Sequence, residues 1–267
     1  MRRPSGERDM RRQVVEEPVS ASAVWSLRIA TFAVAVAAVG IVITRFQLVD
    51  VPAGLSVFGS AVILACIALL LSGTAAVVIW RTGRRGVTIA LGGALLAVVL
   101  LVWPGWLAAQ AIRLPVLNDV TTDMADPPQF SLSRRAIEAR DGRSPTTPTP
   151  FARQQQRTAY PGVQPMLLEL EADEAYQIVL KAVQARGWKI IDQSAPGGRG
   201  GLGHVDAVAR TLVMGFPDDI TIRIKPLAGQ TKIDVRSASR YGRNDFGVNA
   251  KRIEQFAQEI QNQIDTK

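Results

Sequence analysis

The residues best equipped for chemistry lie near the C-terminal end, in Asp234-Val-Arg-Ser-Ala-Ser-Arg-Tyr-Gly-Arg-Asn-Asp-Phe-Gly-Val-Asn-Ala-Lys-Arg252. Strand alternation puts Asp234, Arg236 and Arg240 on one charged face with Asp206, Arg210, Arg223 and Lys225. Arg243, Gly247, Lys251 and Arg252 gather where a final helix begins, and the free N–H groups and dipole of a helix start favour an anion. Arg236, Ser239, Arg240, Arg243, Asp245, Asn249 and Arg252 are therefore the candidate ligand-binding residues, for a phosphate, a lipid headgroup or a carboxylate. The competing reading is a salt-laced sheet in which Asp218, Asp219, Asp234 and Asp245 neutralise the arginines.

Three weaker constellations stand beside this one. Gly198-Arg-Gly-Gly-Leu-Gly203 has the glycine spacing of a dinucleotide loop, but an alternating strand follows where that loop needs a helix. His204, Ser194 and Asp206 are the residue types of a hydrolase triad, yet no nucleophile elbow surrounds Ser194, and an ordinary strand histidine is the better reading. Asn118, Asp119, Thr121, Thr122 and Asp123 carry oxygens for a hard cation without the spacing of a calcium loop, so Asx and Thr turns tying the chain down are expected instead. No catalytic residue, metal site or cofactor is assigned. His204 is the only histidine, and Cys66, the only cysteine, lies in an apolar run, which removes thiol and disulfide chemistry from the rest of the chain.

The elements that must position these residues follow from periodicity. Leu167, Leu168 and Leu170 suggest a short strand, and Asp173 can cap a helix that runs to Arg186 and stops at Gly187. Trp188 to Ile191 reads as the next strand. Val205, Ala207 and Ala209, then Ile220, Ile222 and Ile224, then Ile233 and Val235 each alternate with polar or charged residues, and Leu227-Ala-Gly-Gln230 joins the last two strands. Asn244 or Asp245 can cap a last helix with Phe246, Ala250, Ile253, Ala257, Ile260 and Ile264 on its apolar side. Strand, helix, antiparallel strands and helix describe an α+β domain of two layers, with helices on one sheet face and charge on the other.

Ahead of that domain the chain is of another kind. Hydrophobic residues make up 48% of the whole, and the excess is concentrated in uncharged runs near 29–44, 54–80 and 87–107. The expected organisation is a polar tail over 1–26, three transmembrane helices within 27–112 (about 27–48, 54–80 and 87–109), an extended proline-rich lead-in over 113–165, and the domain core over 166–267. The first run is short enough that a cleaved signal sequence competes; the long tail of mixed charge favours a retained helix. Arg81, Arg84 and Arg85 in the second connection, with Arg11, Arg12 and Arg28, mark the cytoplasmic side. Three crossings then place the C-terminal domain outside the cytoplasm, as in the periplasm of a bacterial inner-membrane protein. No ionisable residue lies deep in a span, so the helices read as an anchor. The net charge of +8 is concentrated around the spans, and no nucleic-acid-binding patch is required.

The motifs at the two ends of the domain also resemble a known family. Leu117-Asn-Asp-Val-Thr-Thr-Asp-Met-Ala-Asp-Pro-Pro128, Tyr160-Pro-Gly162, Gly187-Trp188, Asp218-Asp219 and the stretch from Asp234 to Arg252 together resemble domain-of-unknown-function family 1499, over roughly Leu117 to Ile264. The resemblance implies a bacterial or plastid protein whose domain follows membrane helices, and it assigns no activity. It adds Asn118, Asp119, Thr122 and Asp123 to the polar motif residues of interest. The expected function is a non-catalytic cell-envelope binding or scaffolding module for an anionic ligand or lipid held against the bilayer; the alternative is a hydrolase-like enzyme using Asp and Arg of the same domain.

Overall fold

The computed structural model describes residues 17–197 and 201–266, in two compact units. The first unit holds residues up to Val39 together with Ser56–Val102, that is, most of helices α1 (Ala21–Arg45), α2 (Val51–Thr82) and α3 (Val87–Arg113). All three are long and apolar enough to cross a membrane. They pack through alanines, Ala30, Ala33, Ala65, Ala68 and Ala97 forming one buried cluster; small residues let backbones approach where no hydrophobic force separates helix from lipid. The third helix outruns its apolar stretch, continuing through Pro104 to Arg113.

The second unit comprises Gly40–Leu55 and Trp103–Lys267. Its centre is a six-stranded antiparallel sheet: β1 (Asp119–Thr121), β2 (Met166–Leu168), β3 (Lys189–Ser194), β4 (Gly203–Arg210), β5 (Pro217–Leu227) and β6 (Gln230–Ser239), in the order β1-β6-β5-β4-β3, with β2 also pairing on β6. The Ala228-Gly229 turn between β5 and β6 has Gly229 at φ 73°, a conformation that favours glycine. Ile220, Ile222 and Ile224 of β5 pair in register with Val205 and Ala207 of β4 and with Ile233 and Val235 of β6. Helices α6 (Ala172–Ala185) and α7 (Val248–Asp265) contribute Val179, Ala182, Val183, Ile253, Phe256 and Ile260 to the same core. Trp188 stacks on Phe256 with ring centroids 5.0 Å apart. This is the α+β architecture that the alternation implies.

Two local expectations are corrected. Asp173 is not the cap of α6: the helix begins at Ala172 after Glu171, and Asp173 sits in its first turn, where a carboxylate meets the positive end of the dipole. The stretch from Ser131 to Pro165 is not wholly extended, because it forms α4 (Arg134–Ala139) and α5 (Pro150–Ala159). The prolines permit this. Pro150 occupies the start of α5, where a missing N–H costs nothing, and Thr149 caps it by accepting from Ala152 N. Together with residues 122–133, these short helices close over the charged face of the sheet.

Candidate functional site

The polar residues of the domain fall into two networks on opposite sides of the sheet. On the charged face, Arg236 is fully buried and donates to both oxygens of Asp119, at 3.0 and 2.7 Å, and to the carbonyls of Pro128 and Thr146. Its guanidinium lies 5.0 Å over the ring of Phe130, and that of Arg140 lies 5.5 Å over the same ring. Arg140, also fully buried, bonds Asp206 Oδ2 at 2.8 Å and the carbonyl of Ser131. Arg240 grips both oxygens of Asp219, Nη2 to Oδ1 at 2.7 Å and Nε to Oδ2 at 3.0 Å, and reaches Asp141 at 2.9 Å. Arg223 joins Asp234, Asp126 and Asp123, and Lys232 joins Asp123 and Asp234. Burial pushes the carboxyls of Asp119 and Asp219 upward, against the pull of their arginines.

On the helix face, Arg252 bonds Asp218 and the hydroxyl of Ser237. Asn249 accepts from Ser237 Oγ at 2.7 Å and from Arg252, and donates to Asn118 O and Ser239 Oγ. Asp245 caps α7 from outside it, accepting from Gly247 N at 2.9 Å and Asn249 N at 2.8 Å. The structure thus joins Ser239, Asp245, Asn249 and Arg252 in one network, puts Arg236 and Arg240 across the sheet, and leaves Arg243 exposed.

Of the lead-in motif, Asp119–Thr121 form β1, Asn118 and Thr122 are tied to distant chain, and only Asp123 makes a local turn. Thr122 Oγ1 accepts from Val235 N at 2.8 Å, Asn118 Nδ2 donates to Gly242 O, and Asp123 Oδ1 takes the N–H groups of Ala125 and Asp126. No group of three or more metal-ligating side chains occurs among the described residues. His204 Nε2 comes within 2.9 Å of the buried Asp206 Oδ1 without a hydrogen-bonding alignment. Ser194 is exposed opposite His204 in the β3–β4 register. Residues 198–200 of the glycine-rich stretch lie outside the described residues, and Gly203 opens β4.

Sequence reasoning missed one concavity. A groove of about 740 Å³ lies at one end of the sheet, lined among others by Arg186, Lys189, Arg210, Lys251, Gln47 and Leu212, with Arg240 and Arg252. Arg240 and Arg252 are neutralised by Asp219, Asp141 and Asp218. Among the described residues no carboxylate pairs with Arg186, Lys189, Arg210 or Lys251. Arg186 donates to Gln255 Oε1 at 2.7 Å, and its Nε is buried without a partner. Arg210 bonds Gly215 O and Gln47 Oε1. These cations come from the end of α6, from β3 and β4 and from α7, so only the tertiary fold assembles them. A smaller cleft of about 290 Å³ is lined by Asn118, Asp119, Arg143, Asp219, Ser239 and Arg240 among others.

Fold and site together define an antiparallel α+β domain with internal ion pairs and a cationic groove, carried behind three apolar helices. Residues 119–260, just over half of the chain, match the family of proteins of unknown function DUF1499, and the chain belongs to that family. Among curated proteins none matches it.

Proposed function

We propose that this protein is a non-catalytic binding module of the cell envelope, anchored in a bacterial inner membrane with its N-terminus cytoplasmic, whose extracytoplasmic domain holds an anionic ligand in the groove of Arg186, Lys189, Arg210 and Lys251. The observation that carries the reading is that these four cations line one concavity with no carboxylate partner among the described residues. Charge left unpaired in a concave site is the usual mark of binding rather than of stability. Arg81 in the last turn of α2, with Arg84 and Arg85 in the α2–α3 connection, supports the orientation. Native mass spectrometry of the gently extracted chain should show a retained anionic adduct that is lost in the Lys189→Ala/Lys251→Ala variant. An unadducted wild-type protein, or an adduct indifferent to the substitutions, overturns the groove assignment.

A second reading rests on the smaller cleft, where Asp119 and Asp219 are carboxyls raised by burial, as a general acid would be. Against it, each is clamped by an arginine whose bidentate grip matches the ionised form. Hydrolysis of an ester or phosphoester substrate, abolished by Asp219→Asn with the fold intact, would support it.

A further inference from the structure

We infer that the occupant of the groove is the phosphate headgroup of an anionic phospholipid, entering from the leaflet that borders the domain; this rests on the anion-binding reading above. The chemistry shared by all candidates is a phosphate mono- or diester. What selects the lipid as its source is where the groove opens. Arg45, the last residue of α1, donates through its guanidinium to the carbonyls of Leu212 and Val213 in the β4–β5 turn. Two residues further, Gln47 Oε1 accepts from Arg210 at 2.9 Å. Gln47 and Leu212 both line the groove. A helix that crosses a bilayer ends at its interface, so the groove mouth sits at headgroup level.

The surroundings fit a lipid better than a soluble anion. Leu212 is 87% exposed, and Phe46 and Leu48 in the α1–α2 connection are each 69% exposed. Apolar side chains beside a cationic recess at the membrane surface give acyl chains a path while the phosphate is held by Lys189, Arg210 and Lys251. Gly215 keeps the β4–β5 turn close to α1: its φ is 69°, and a Cβ there would come within 3.3 Å of Arg45 Cα.

The test uses the full chain in nanodiscs of phosphatidylcholine, with and without one part in ten of phosphatidylglycerol, released into native mass spectrometry. Retained phosphatidylglycerol should be enriched over its share of the disc, and Lys189→Glu/Lys251→Glu, both at exposed positions, should lower the retention by about tenfold or more. A parallel arm adds soluble glycerol phosphate to the protein in phosphatidylcholine alone. Binding of glycerol phosphate that matches the lipid, and falls equally in the variant, would overturn the lipid source while leaving the anion site standing. Enrichment unchanged by the double substitution would overturn the groove as the lipid site. Absence of both lipid and glycerol phosphate would remove the anion-binding reading itself.

Discussion

Replacing Arg236 by alanine tests the reading of the charged sheet face as internal structure. The side chain is fully buried. Its removal leaves the Asp119 carboxylate and the carbonyls of Pro128 and Thr146 without their donor. Breaking a buried pair from one side costs about 3–5 kcal/mol, because the surviving charge stays desolvated. For a domain of this size each kcal/mol moves the midpoint by roughly 2–4 °C, so Arg236→Ala should lower it by roughly 6–20 °C. Arg134→Ala is the control: Arg134 and Glu138 are 93% and 65% exposed at 2.9 Å, and such a pair is worth less than about 0.5 kcal/mol. Arg236→Met/Asp119→Leu removes both charges and should lose less than Arg236→Ala alone. Asp119 already has its carboxyl raised by burial, and without Arg236 it rises further. A raised carboxyl favours folding below its unfolded value and loses that contribution as pH climbs through the folded value, so the deficit of Arg236→Ala should shrink on acidification. The assay is calorimetry of the detergent-solubilised chain over a pH series. A midpoint within 2 °C of Arg134→Ala, or a deficit that grows toward acid, refutes the reasoning.

Other expectations concern single positions. Burial pushes the Asp192 carboxyl up, but the hydroxyls of Ser131 and Ser133, the Gln193 N–H and His204 together hold it below its usual value. That contribution is present above the unfolded value and lost as pH falls through the folded one, so the wild-type advantage over Asp192→Asn in thermal unfolding should begin to shrink below about pH 4 and go on shrinking toward more acid pH; a constant advantage contradicts it. Gly247 precedes α7 at φ 81°, and a Cβ there would meet Leu114 Cδ1 at 3.1 Å. Gly247→Ala should cost about 1–2 kcal/mol in denaturant titration, and a neutral result would contradict the left-handed geometry. A periplasm-dependent phosphatase fused after residue 267 should be active, and one fused in the connection at Arg84 inactive; the reverse pattern inverts the topology.

The sheet was legible because its alternation is strict: Ile220, Ile222 and Ile224 face the helices while Asp219, Thr221 and Arg223 face away. The three apolar helices were legible from length and the absence of charge. What covers the charged face was not. Arg140 and Gln156 are buried at 0% and 1%, in a segment whose composition signals exposure. Gln156 takes the N–H of Thr121 at 3.1 Å and donates to its carbonyl at 2.6 Å, mimicking a further strand at the sheet edge. Nothing in a window of sequence marks such a glutamine, because its role depends on a partner 35 residues away. Asp206 did offer a clue: its neighbours in register are Asp192 and Thr221, so a buried aspartate there required a cation from elsewhere.

The same ion pairs explain how a domain close to electrical balance presents a cationic groove. After Ile112 the chain has 21 Lys and Arg against 18 Asp and Glu, an excess too small to make a basic patch by chance. Folding, however, distributes the two signs unequally. Asp119, Asp206, Asp218, Asp219 and Asp234 are committed to Arg236, Arg140, Arg252, Arg240 and Arg223, and all but Asp119 are buried. These pairs mask equal numbers of acids and bases, so the small cationic excess is left to the remaining side chains. In the groove the pairing is incomplete: Arg240 and Arg252 have carboxylate partners, while Arg186, Lys189, Arg210 and Lys251, which also line it, pair with no carboxylate among the described residues. The internal network therefore sets the charge of the groove as well as the stability of the sheet. Neutralising Asp218 or Asp219 would release Arg252 or Arg240 and make the groove more basic, so anion binding should tighten even as the fold weakens, opposite shifts that no purely structural account of these aspartates predicts.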